Sequence, residues 1–270
     1  VARFESERQA LALLDHPGIA RVYEAGSTDA GRPYFSMELV AGAPITKFCD
    51  AGRLTIAERL RLFAKVCDAV QHAHQKGIIH RDLKPSNVLV AEKDDGAAPK
   101  VIDFGIAKSI RRRLTEESLL TEVGQIIGTP EYMSPEQADL GGIDIDTRTD
   151  IYSLGVLLYE LLTGEMPFDP KVLRAAGLTE VLRRVAEDDP PRPSTRLRQL
   201  LGDGLQNTAL KRHTDGPTLV RALQTDLDWV VMKAVEKERD RRYASAAELA
   251  ADVRRYLAHE PLLASPPSTA

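Results

Sequence analysis

Asp82, Lys84, Asn87 and Asp103 lie within about two dozen residues of one another, and together they could move a phosphoryl group onto a hydroxyl. An acceptor hydroxyl must be oriented and must give up its proton, and Asp82 is the carboxylate placed to take it. Lys84, two positions on, reaches the same space and sets a positive charge against the transferred phosphate. Asn87 and Asp103 offer hard oxygen ligands of the kind Mg2+ prefers. Singly these residues say little. A lone aspartate in a loop caps a turn or is solvated, and His80 alone reads as a packed, hydrogen-bonded structural histidine. Their conjunction carries the signal.

The elements that must position them can be read on either side. Residues 88–90 and 100–102 are short apolar strands joined through Asp94-Asp95-Gly96. Paired as a hairpin, they bring Asn87 and Asp103 to the same open end, where two side chains sixteen positions apart can share a cation. Before the loop, Thr55 and Glu58 have capping-box spacing. They open a helix with Ile56, Leu60, Phe63, Cys67, Val70 and His74 on one stripe, ended by Lys76-Gly77. Residues 149–163 are apolar on nearly all sides and predict a buried helix.

Upstream, residues 3–15 predict a helix with Phe4, Glu7, Leu11 and Leu14 on one face, stopped by His16-Pro17-Gly18. Extended runs follow at 20–25 and 33–40, and Gly42-Ala43-Pro44 marks a hinge between a small lobe and a large one. Residues 106–135 read as a long polar loop. Residues 171–224 read as a charged surface segment with irregular helix. Helices are expected near 227–237 and 246–257, the second capped by Ser245 and Glu248. The proline- and serine-rich stretch 261–270 reads as the start of a linker.

Bulk properties narrow the class. With 270 residues and 43% apolar content, the chain can bury a large core as one domain or two lobes. A net charge of −4 provides no broad basic surface, which argues against nucleic acid as a main partner. Cys49 and Cys67 lack a CxxC pattern and read as reduced core thiols of a cytoplasmic protein. No signal peptide is visible, and the apolar run 151–162 is too short to span a bilayer. The first residue is Val1, which leads to the expectation of a piece of a longer protein.

The ordered motifs resemble those of the eukaryotic-type serine/threonine protein kinases, and of their bacterial members in particular. The resemblance rests on His80-Arg81-Asp82 with Lys84 and Asn87, on Asp103-Phe104-Gly105, and on Gly128-Thr129-Pro130-Glu131-Tyr132. It continues in Ser134-Pro135-Glu136, where the family usually has Ala-Pro-Glu, then in Asp150-Ile151-Tyr152-Ser153-Leu154-Gly155 and Gly164-Glu165-Met166-Pro167-Phe168. The bacterial likeness comes from residues 227–234, Arg241-Arg242-Tyr243 and residues 250–253. The resemblance implies an α+β, protein-kinase-like bilobal fold. Its large lobe (44–260) would be mostly helical, and its small lobe (1–43) incomplete, with one helix and two or so strands.

The resemblance also implies roles. Asp82 and Lys84 would be catalytic, with Asn87 and Asp103 on Mg2+. Met37 would be the gatekeeper, Glu38 to Val40 the hinge whose backbone bonds the adenine of ATP, and Leu89 the floor under the ring. Asp150 would bond the backbone of the His80-Arg81-Asp82 loop, and Arg242 would pair with Glu136. Phe104 and Gly105 would complete the metal-binding motif, and Thr129 would contact Asp82 and Lys84. Lys84 marks acceptors as Ser and Thr of protein substrates. Arg81 implies an activation loop ordered by phosphate, with Thr121 as the first-choice phosphosite ahead of Thr115 and Ser118. Such proteins often continue into a membrane helix or repeat modules.

One part of the family's site does not occur in these residues. There is no GxGxxG stretch, and no strand lysine lies where it could pair with Glu7, the glutamate expected on the first helix. The expectation is a kinase domain truncated before that helix, weak or inactive by itself. A pseudokinase or scaffold is the alternative, disfavoured by intact Asp82, Asn87 and Asp103. A small-molecule kinase of the aminoglycoside or choline type lacks the 128–136 segment.

Overall fold

A computed structural model describes residues 14–28, 33–93, 96–104, 130–138, 145–169, 173, 177–200 and 202–264. β1 (Val22–Ser27) and β2 (Pro33–Met37) pair antiparallel, with Val22 opposite Met37 and Gly26 opposite Tyr34. β3 (Ala43–Pro44) leads directly into α1 (Ile45–Ala51), and α2 (Ile56–Gln75) follows. After the charged loop, β4 (Val88–Lys93) and β5 (Gly96–Val101) form the expected hairpin. The remaining helices are α3 (Pro135–Ala138), α4 (Arg148–Thr163), α5 (Leu178–Glu187), α6 (Pro193–Arg198), α7 (Gly204–Leu210), α8 (Gly216–Leu223), α9 (Asp226–Ala234) and α10 (Ala246–Ala258).

Two helices build the large lobe's core. α2 starts on a complete capping box: the Thr55 hydroxyl accepts from the Glu58 N–H, and the Glu58 carboxylate accepts from the Thr55 N–H at 2.8 Å. Leu60, Phe63, Cys67 and Val70 of the expected stripe are fully buried. α4 is buried around nearly its whole circumference, as a sequence apolar on nearly all sides requires. α9 packs on it at Gly155, where a Cβ would lie 2.7 Å from Val235 Cγ1 and 2.8 Å from the Ala234 Cβ, so only glycine admits this approach. α10 packs along α2.

Several expectations are revised. Gly42-Ala43-Pro44, expected as a hinge, is partly strand, since Ala43 pairs with Val90 and Pro44 with Leu89. The described part of 171–224 is not a surface segment. Within it α6, α7 and α8 bury Leu197, Ala209, Leu219 and Leu223 in the same core as α4. Asp228 of α9 secures α6, accepting from the Ser194 N–H at 2.9 Å and its hydroxyl at 2.6 Å. The second extended run ends at Met37 rather than 40, and the 227–237 helix ends at Ala234. Of the helix expected at 3–15, residues 3–13 lie outside the described residues; Leu14 is buried without helical structure.

The chain does not leave the domain at 261. The buried carboxylate of Asp252 on α10 accepts from the N–H groups of Leu263 and Ala264, each at 2.8 Å. It also accepts from the Tyr243 hydroxyl at 3.0 Å and from Arg255 at 2.8 Å. Ala264 is buried beside the core. Among the described residues, no helix is long and apolar enough to cross a membrane.

Candidate active site

The loop between α2 and β4 is shaped from behind by one carboxylate. Asp150, in the first turn of α4 and fully buried, accepts from the His80 N–H at 2.7 Å and the Arg81 N–H at 2.8 Å. His74 Nε2 lies 2.8 Å from the same carboxylate. These bonds hold Arg81 at φ 64°, a left-handed conformation that costs a non-glycine residue about 1–2 kcal/mol. From the other side the Gln137 amide donates to the Arg81 carbonyl at 2.9 Å. The result is a turn that presents Asp82 outward.

Around Asp82 the chemistry-bearing groups converge. Lys84 Nζ is 3.0 Å from Asp82 Oδ2, with both side chains about one-fifth exposed. Asn87 Nδ2 donates to the Asp82 carbonyl at 2.9 Å and to its Oδ2 at 3.3 Å. The Asn87 amide nitrogen is thus committed to Asp82, which turns its Oδ1 the other way. The Ile102 N–H donates to the Asn87 carbonyl at 2.9 Å, so the strand pairing sets Asp103 beside Asn87. Asp103 is exposed and also left-handed, at φ 56°. One exposed carboxylate and one amide oxygen suit Mg2+, which keeps much of its water and takes phosphate oxygens as further ligands.

His80 is a strut. Its ring is fully buried, with Nε2 3.0 Å from the Ile102 carbonyl and Nδ1 accepting from the Asp82 N–H at 3.3 Å. Those partners fix a neutral tautomer with the proton on Nε2. Burial holds its pKa below the usual histidine range, against the opposing pull of Asp150. Phe104 packs against it, ring centroids 4.7 Å apart.

Arg242 and Glu136 form the expected pair, bidentate at 2.8 Å and 2.8 Å, and both are buried. Burial alone would raise the Glu136 pKa, but the bonds and charge of Arg242 and the Thr149 hydroxyl outweigh it and hold the pKa below the carboxylate range.

Where the resemblance would put the nucleotide, Leu89 of β4 is half-buried while Val88 and Val90 on either side of it are buried. Met37 is exposed and Val40 half-buried. The Glu38 carboxylate is taken by Lys100 at 2.5 Å and by the Arg21 N–H at 3.2 Å, and the Glu38 N–H donates to the Arg21 carbonyl at 2.8 Å. Glu7, Gly105, Thr121 and Thr129 lie outside the described residues.

Sequence reasoning missed three contributors: His74 behind Asp150, Gln137 on Arg81, and Lys100 on Glu38. His74 had a signal, a polar residue closing an otherwise apolar stripe. A fourth link is the Tyr132 hydroxyl donating to Glu160 Oε2.

Comparison with known proteins agrees with this geometry. The family described as Protein kinase domain matches residues 2–246. Serine/threonine-protein kinase PknB of Mycobacterium leprae is 37% identical over 263 residues, covering 96% of this chain and 36% of PknB. Serine/threonine-protein kinase Pkn1 of Myxococcus xanthus is 36% identical over 249 residues, covering 92% of this chain and 31% of Pkn1. A solved double mutant of the Mycobacterium tuberculosis PknI kinase domain superposes with a TM-score of 0.64 at 25% identity, covering 95% of this chain and 78% of that one. The chain thus spans about a third of the length of these curated relatives.

Proposed function

The chain belongs to the protein kinase domain family, and from that premise we propose that it transfers the γ-phosphate of ATP to Ser and Thr hydroxyls of proteins. The observation that carries this reading is the cluster of Asp82, Lys84 and Asn87 on a turn pinned through Asp150. Asp82 orients the acceptor hydroxyl and takes its proton. Lys84 faces the phosphate in flight and balances its charge. Asn87 and Asp103 hold Mg2+, which when bound neutralises charge on the phosphate oxygens. The adenine lies between Leu89 and the small lobe, bonded by the backbone of Glu38 and Val40 and bounded by Met37. Thr121 is the regulatory phosphosite. The domain acts in the cytoplasm, where ATP is available.

Transfer by these 270 residues alone is slow in this reading. They contain no GxGxxG stretch. Lys47 and Lys65 sit on helices, and Lys100 of β5 pairs with Glu38.

The test is label transfer from γ-labelled ATP with Mg2+ to peptides that differ only in a Ser, Thr or Tyr acceptor. Label is expected on Ser and Thr, and is expected to vanish in Asp82→Asn and with EDTA. Labelling no greater than in Asp82→Asn would leave a binding-only scaffold, and labelling on Tyr would remove the acceptor assignment.

A further inference from the structure

At the C-terminal end of α4 lies a cavity of about 320 Å3 with an excess of positive charge around it. α1 contributes Thr46, Lys47 and Asp50, α4 contributes Glu160, and the link between α7 and α8 contributes Lys211 and Arg212. Arg59 of α2 lies behind this wall, and its side chain and that of Arg212 are each 1% exposed. Carbonyls at the end of α4 hold both guanidiniums: Arg212 bonds those of Glu160, Leu161 and Leu162, and Arg59 bonds that of Leu161. The negative end of the helix dipole favours cations there.

Compensation by carboxylates is thin. Asp50 alone serves Arg59 at 2.9 Å, Lys211 at 3.2 Å and Arg212 at 3.7 Å. Glu160 is turned to the Tyr132 hydroxyl, from which its carboxylate accepts, and burial raises its pKa. Lys47 stands exposed at the rim and forms no ion pair with a described residue. Burial and the neighbouring Arg59 push the pKa of Arg212 down to about 10, as expected for cations side by side without enough counter-charge.

We propose that this cavity binds a phosphate monoester dianion carried on a protein side chain, that is, a phosphoserine or phosphothreonine. Lys47 and Lys211 make the direct contacts, the Thr46 hydroxyl adds a donor, and the buried guanidiniums supply the field. A dianion with three acceptor oxygens matches this arrangement better than a carboxylate does. Choosing a phosphorylated side chain over free phosphate rests on the phosphotransfer reading, whose product it would be; the charge of the cavity does not. The site also touches the transfer machinery. The Tyr132–Glu160 bond joins its wall to the turn that runs on to Gln137, the donor to the Arg81 carbonyl.

The test is fluorescence anisotropy without ATP or Mg2+, so it is blind to whether the chain catalyses. A labelled phosphoserine peptide is compared with its serine twin and with inorganic phosphate as competitor, on wild type and on Lys47→Gln/Lys211→Gln. The phosphopeptide is expected to bind at least about tenfold tighter than its twin, the scale of one charge-assisted hydrogen bond, and to lose that margin in the double variant. Both substituted residues are exposed, and an unchanged melting curve verifies the fold. Equal affinity for the two peptides, or an unchanged margin in the variant, overturns the proposal. Inorganic phosphate competing as tightly as the phosphopeptide overturns the side-chain source.

Discussion

Arg242→Met should destabilise the large lobe more than any surface change, because all five guanidinium N–H donors are in use. They reach the carbonyls of Glu236 at 2.7 Å, Arg148 at 2.9 Å and Lys237 at 3.0 Å, and the two Glu136 oxygens at 2.8 Å and 2.8 Å. Removing one partner of a buried ion pair costs about 3–5 kcal/mol, since the other charge stays buried without compensation. The three stranded carbonyls add about 1 kcal/mol each at most, partly recovered by the packing of methionine. A loss of about 4–6 kcal/mol follows, a large share of the ~5–15 kcal/mol that holds a domain together. Glu136→Gln should cost about 3 kcal/mol, and the double variant less than the sum by about 2–3 kcal/mol. Urea unfolding followed by circular dichroism measures all three. The pH dependence carries a second signature. The pair's stabilisation is full above the unfolded glutamate pKa and is lost as pH falls through the lower folded value, so this part of the acid sensitivity should be missing from Glu136→Gln. Single variants costing under about 1 kcal/mol, or effects additive within about 0.5 kcal/mol, would refute the reasoning.

Asp150→Asn keeps one acceptor oxygen for the two N–H groups of His80 and Arg81; turnover should fall on the order of 100-fold with ATP affinity nearly unchanged, and steady-state kinetics showing unchanged turnover would sink that account. His80 is held neutral by burial, so its folded pKa lies below its unfolded one; stability should be full above about pH 6.5 and decline as pH drops through the folded value. Urea midpoints at several pH values would show this slope reduced in His80→Gln, and an equal slope would contradict it. Asp252→Ala removes the acceptor of four bonds; hydrogen exchange at Leu263 and Ala264 should accelerate and stability fall by about 2–4 kcal/mol, whereas unchanged exchange would mean the tail is held by Ala264 alone.

What the sequence made legible is what obeys local rules. Thr55 and Glu58 announced α2 because a capping box is a four-residue event. The hairpin was readable from two short apolar runs, 88–90 and 100–102, around Asp94-Asp95-Gly96, and its pairing sets Asn87 beside Asp103. The short helices α6 to α8 were not readable as core, since each is only six to eight residues long and opens on proline or glycine. Their start signals were nonetheless present, in Pro193 at the first turn of α6 and in Asp215 capping α8 before Pro217. Arg59 and Arg212 were invisible for another reason. A guanidinium reads as surface in any composition argument, and only the carbonyls at the end of α4, 102 and about 50 positions away, make their burial tolerable.

The anchoring of Leu263 and Ala264 on Asp252 has a mechanical consequence. Tension entering the domain through residue 265 meets two N–H···O bonds and the seat of Ala264 before it reaches the last turn of α10. The helix is therefore gripped from the side rather than pulled from its end, and cannot unwind turn by turn from its C-terminus until that grip fails. Under load the domain should yield in two steps, a small release of the tail and then the loss of α10 from α2, which a single-molecule pulling trace would resolve as separate extensions.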